Sequence, residues 1–140
     1  MPTRRTRVAL FVLDTFVALS AIGGGLAIVA SLDRFPPEWL RGSPFGDYVI
    51  PGLILASIVG GSTGAAAAIV WRRPRLGISA SAAAGLVLTA WIVGEVIILN
   101  QNGAPTSPRS PTEALYLIVG VAMTLPRIAA LFARERTPAA

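Results

Sequence analysis

The stretch LGISASAAAGLVLTAWIVGEVIIL, residues 76–99, decides how the chain must be read, because Glu95 is its only charged residue. A helix rises about 1.5 Å per residue, and about 20 apolar residues cross a hydrocarbon core of roughly 30 Å. This stretch therefore predicts a membrane-spanning helix. Working outward from it, residues 8–30, 49–71 and 114–133 form three further blocks of the same length and character. Together they predict an all-α protein, a four-transmembrane-helix bundle with residues 1–140 as a single integral membrane domain.

Composition agrees. The chain is 54% hydrophobic and 14% charged, against about 25% charged in soluble domains, and its mean hydropathy is +0.67. It has no cysteine and no histidine, which excludes thiolate nucleophiles, haem ligation by either residue and ordinary zinc chemistry. No cofactor is expected.

All twelve basic residues are arginine, and the net charge is +5. They cluster at span ends, without the basic stripe and interleaved aromatics that would point to nucleic acid. Arg4, Arg5 and Arg7 precede the first span, Arg72, Arg73 and Arg75 separate the second from the third, and Arg134 and Arg136 follow the fourth. The positive-inside rule then places both termini and the middle loop in the cytoplasm. The arginine-, alanine- and glycine-rich usage points to a bacterial source, hence to the inner membrane. The first apolar block exceeds a signal-peptide core of about 7–15 residues, so it reads as a retained anchor.

In the first outer loop, SLDRFPPEWLRGSPFGDY, Pro37 at a first helical position and Gly42 as terminator predict one short helical turn. Phe35, Trp39, Phe45 and Tyr48 fit two readings, an aromatic belt at the headgroups or a lid over an outward-facing cavity. Asp47 is placed to cap the second span, and Pro51 falls in its first turn, where a missing N–H costs little. The second outer loop, QNGAPTSPRSPTEA, reads as a solvated linker. Pro111 and Glu113 then open the fourth span, the acid lying near the positive end of the helix dipole.

Small residues recur every four positions in the second span, at Ala56, Gly60, Gly64 and Ala68, with Gly61 and Ala65 widening the ridge. Gly77, Ser81, Gly85 and Thr89 form a matching series in the third, and Ala21 and Gly25 sit in the first. Such ridges let helices approach closely, either within one bundle or between copies in a homo-oligomer. GGSTGAAAA lacks the lysine and following hydroxyl of a phosphate loop and lies within a span.

Three intramembrane residues are out of character: Asp14, Glu95 and Arg127. Each costs about 2.5–3.5 kcal/mol near a span centre and needs a partner, a cavity or a changed protonation state. Asp14 and Arg127 fall in one depth band on the cytoplasmic side, which predicts an ion pair joining the first and last helices; snorkelling to inner headgroups is the other reading for Arg127. Glu95 falls on the outer side, roughly 10 Å from mid-plane by the helical rise, one turn beyond Trp91. Its expected partners are Arg34, Arg41 or Arg109 from the loops, Tyr48 or Thr89; otherwise it is protonated, and it serves either as a hydrogen-bonding acid between helices or as a functional one.

SPFGDYVIPGLILASIVGG followed by TAWIVGEVIIL resembles an uncharacterised family of small four-span bacterial membrane proteins, over roughly residues 45–99. The likeness rests on PF-D-IPG and on a small residue and tryptophan followed by glutamine or glutamate four positions on. Family members often carry glutamine at the place of Glu95, which implies hydrogen bonding there more than proton transfer. The resemblance implies a fold and a location and brings no activity. A looser similarity, to the small multidrug resistance transporters, is confined to four spans with an acid in the first; their surrounding motif is absent.

The expected function is a non-enzymatic accessory or interaction component of the bacterial inner membrane, with the lipid bilayer, a second copy or another membrane protein as partner. A small oligomeric transporter or channel using Asp14 or Glu95 is the alternative.

Overall fold

The computed structural model describes residues 2–32, 36–101 and 111–135. Four helices are long and apolar enough to cross a membrane, and among the described residues there is no strand. Helix α1 is Arg4–Val29, α2 is Val49–Arg72, α3 is Pro74–Gln101 and α4 is Pro111–Glu135. Asp33, Arg34, Phe35, Arg109, Arg136 and the linker between α3 and α4 lie outside the described residues.

Local chemistry sets the helix ends. The Thr3 hydroxyl accepts the Thr6 N–H at 3.2 Å and opens α1. At its other end Ser31 takes a left-handed φ of 56°, and the Leu32 N–H returns to the Ala27 carbonyl at 3.0 Å. That six-to-one closure satisfies a carbonyl the helix would otherwise leave open. Asp47 Oδ1, one position before the N-cap residue Tyr48, accepts the N–H of Val49, the first residue of α2, at 3.0 Å. Between α2 and α3 stands Arg73 alone: its N–H closes back on Ile69 at 2.7 Å while its carbonyl accepts the Gly77 N–H at 2.9 Å. Pro74 follows at the first helical position, where it needs no N–H partner. Pro111 and Glu113 open α4.

One feature of α2 was not anticipated. Leu55–Val59 forms a π-turn inside it, flanked by Val49–Ile54 and Gly60–Arg72 in α form. Such a turn shifts the facing of everything beyond it.

The helices pack in chain order, α1 on α2, α2 on α3 and α3 on α4, while α1 touches α3 and α4 at few points. The two ends of the bundle are called here the arginine end, holding Arg4, Arg7 and Arg73, and the loop end, holding the turn Pro37–Leu40. The small-residue ridge of α2 packs against α1, not against the third span. A Cβ added to Gly25 would overlap the Gly52 carbonyl and Ala56, and one on Gly60 would stand 2.6 Å from Ile22 Cγ1. Gly64 is in ordinary contact with Ala18 at 3.8 Å. Ala68 is exposed, as are Gly61 and Ala65: each four-residue step overshoots a helical turn by about 40°, so the stripe rotates off the contact and Ala67 replaces Ala68 in it.

The third-span series divides between neighbours. Gly77 meets Val70 of α2, Ser81 points into the bundle, and Gly85 meets α4, where a Cβ would stand 2.7 Å from the Gly120 carbonyl oxygen. The core is thin, centred on Val17, Val59, Leu88, Val119 and Met123. Large apolar side chains face outward instead: Leu19, Leu86 and Ile118 are 69%, 63% and 67% exposed. Exposed apolar side chains of this size occur on all four helices, each of which is long and apolar enough to cross a membrane.

Candidate functional site

At the loop end the sequence builds a roof. Pro37–Leu40 makes a single 3₁₀ turn, and Gly42, at φ 79°, reverses the chain in a conformation that other residues adopt at a cost. The Ser43 hydroxyl donates to the Leu40 carbonyl at 2.7 Å and accepts the Phe45 N–H at 3.3 Å. The Tyr48 hydroxyl, at the threshold of α2, donates to the Pro36 carbonyl at 2.7 Å and ties the turn down. Burial, with the Glu38 charge nearby, pushes the Tyr48 phenol above its ordinary range, which keeps it a donor.

Beneath this roof lies a cavity of about 250 Å³ between the first turns of α2 and the last turns of α3. Trp39, Phe45 and Tyr48 reach it from the loop, and Trp91 and Glu95 from α3. Trp91 and Glu95 are four residues apart and so share a helix face. Ala90 and Gly94 also line it, and their small side chains leave the space that the aromatics enclose. Of the four loop aromatics, Trp39, Phe45 and Tyr48 line the cavity, and Phe35 lies outside the described residues.

Glu95 is the single charged side chain on the cavity wall among the described residues. Of its expected partners, Tyr48 gives its proton to Pro36 and Thr89 gives its own to the Gly85 carbonyl at 2.8 Å. Arg41 makes no ion pair with it, and Arg34 and Arg109 are not among the described residues. The neighbouring charge is instead Glu113 of α4, of the same sign. The described wall is thus apolar and aromatic, with Glu95 as its one carboxylic acid.

Asp14 is the second unusual position. It is fully buried, as is Ser81 of α3, and the Ser81 hydroxyl is the polar group interacting with its carboxyl. The two do not reach hydrogen-bond geometry: both Asp14 oxygens and Ser81 Oγ lack a partner. The expected Asp14–Arg127 ion pair is therefore not formed. The reason is packing order. Asp14 lies on the inward stripe Leu10, Asp14, Val17, Ala21 of α1, whereas α4 rests mainly on α3 and meets α1 at few points, one being the Phe16–Tyr116 ring pair at 6.3 Å. Arg127 is half-buried on α4 and holds no hydrogen bond or ion pair among the described residues.

The sequence singled out Trp91 and Glu95 but not Ala90, Gly94, Leu55 or Ile28, which complete the wall. A signal was present in the small residues at 90 and 94, spaced one turn apart beside Trp91. Among the described residues no group of three His, Cys, Asp or Glu side chains could hold a metal ion. No protein-family model, curated protein or solved structure matches the chain.

Proposed function

We propose that this chain is a non-enzymatic, multi-pass protein of the bacterial inner membrane, both termini cytoplasmic, that serves as an accessory or interaction component by binding a membrane-embedded amphiphile at its outer end. The observation that carries the reading is the cavity under the Pro37–Leu40 turn, whose described lining is apolar and aromatic with Glu95 as its one charged side chain. Such a wall selects and holds; it offers no nucleophile with a base beside it. The outward apolar faces of all four helices support the lipid setting, and the arginine clusters support the orientation. The resemblance of residues 45–99 to small four-span bacterial membrane proteins is in keeping with both.

A second reading, a small oligomeric transporter or channel, is favoured by one observation: the buried carboxyl of Asp14 and hydroxyl of Ser81 carry unused hydrogen-bonding capacity inside the bundle. Intramembrane acids commonly mark ion or proton paths. Proton flux into proteoliposomes holding the native protein, Glu95→Gln or Asp14→Asn separates the two. The binding reading expects no flux in any of the three; flux in the native protein that falls in either variant overturns it.

A further inference from the structure

We propose that the outer cavity takes the ammonium head of a cationic amphiphile, seated against Glu95 between the rings of Trp39, Trp91, Phe45 and Tyr48; this rests on the reading that the cavity is a binding site. Three observations converge. The first is charge. Glu95 faces the cavity, and among the described residues no basic side chain stands on its wall. An anionic head would be repelled there. A sugar or other neutral polyhydroxyl head would find too few polar atoms, since the Tyr48 proton is committed to Pro36.

The second observation is the aromatic wall. Tryptophan and tyrosine faces attract ammonium groups, most strongly where water is excluded, and aromatic walls are the recurring device for recognising them. The third is size and place. Ligand pockets enclosing a whole drug-sized molecule run about 300–1,000 Å³. A cavity of about 250 Å³ holds a head group and the start of a chain. Leu55, Ile98 and Ile28 form the apolar part of its wall, so the remaining chain passes into the surrounding apolar medium. The head could belong to a phospholipid with a primary amine or to a free alkylammonium compound, and the chemistry at Glu95 is the same for both.

The test uses the full chain in nanodiscs of phosphatidylglycerol, with dodecyltrimethylammonium as the cationic probe and dodecanol as its neutral counterpart. Trp39 and Trp91 report binding by fluorescence, and Trp71, at the arginine end, supplies a constant background. The cation is expected to bind about tenfold more tightly than the alcohol, and Glu95→Gln to remove that preference while leaving the alcohol unchanged. Gly94→Leu fills the cavity from a position where an added Cβ meets nothing within 4 Å, and is expected to abolish binding of both probes. If native protein binds cation and alcohol alike, or Glu95→Gln holds the cation within about twofold of native, the head-group assignment is wrong. Loss of both probes in Gly94→Leu would in that case leave the cavity standing as a binding site. Unchanged binding in Gly94→Leu would sink the cavity reading itself. Phosphatidylethanolamine added to the nanodiscs identifies a lipid head if it displaces the cation, and a free amphiphile if it does not.

Discussion

The guanidinium of Arg7 lies 5.3 Å from the centre of the Trp71 ring and donates to the Trp71 backbone carbonyl at 2.5 Å. One side chain thus clasps the start of α1 to the end of α2. The carbonyl belongs to the last turn of a helix, where exposed oxygens carry partial negative charge and a cation is favoured. Phe11 backs the same ring at 5.1 Å. Removing the cation with Arg7→Gln is expected to lower stability by about 1–2 kcal/mol, read by thermal unfolding in detergent. A cycle with Trp71→Leu should show the two changes to be non-additive. Additive effects would mean that the clasp contributes nothing as a pair.

Asp14 and Arg127 should behave in the opposite way. With no contact between them, Asp14→Asn and Arg127→Ala are expected to add within about 0.5 kcal/mol. A coupling well above that, measured in the same unfolding assay, would restore the ion pair the sequence suggested.

Glycine substitutions offer a sharper test of the packing. Gly25→Ala and Gly85→Ala drive a methyl into backbone of the facing helix and are expected to cost about 1–3 kcal/mol each. Gly61→Ala meets nothing within 4 Å and should be neutral or slightly stabilising. If Gly61→Ala proves as costly as Gly25→Ala, the exposed face of α2 is covered by a second copy, and a change of oligomeric state in mild detergent would accompany it.

Orientation is tested through the absence of native cysteine. Gly46→Cys in the loop-end turn and Arg73→Cys between α2 and α3 each give a single thiol at an exposed position. A membrane-impermeant maleimide applied to spheroplasts should label the first and spare the second until the cells are lysed. The reverse pattern would invert the proposed topology.

How much of this was legible in the sequence follows from what each feature depends on. The four helices depend on apolar length, and the ends marked by Asp47, Gly42, Pro111 and Glu113 depend on local residue chemistry; both are written in the chain. Placing Glu95 at the loop end beside Trp91 needed only the rise per residue. Which helix faces which residue is another matter. Depth put Asp14 and Arg127 side by side, but depth carries no rotational information, and α4 turned out to lean on α3. The partner of the α2 ridge was left open for the same reason, since α1 and α3 both carry small residues. The π-turn at Leu55–Val59 has no residue signature at all. The cavity needed the loop and two helix ends brought together, so only its most conspicuous residues could be named beforehand.

The single-residue link at Arg73 has a mechanical consequence. With its N–H held by Ile69 and its carbonyl by Gly77, the junction leaves no unbonded linker residue, and α2 and α3 meet there as the two tines of one fork. The tips of those tines are two sides of the loop-end cavity. Above the cavity the Tyr48 hydroxyl holds the Pro36 carbonyl, so the site is framed by a backbone junction at one end of the fork and a side-chain hydrogen bond at the other.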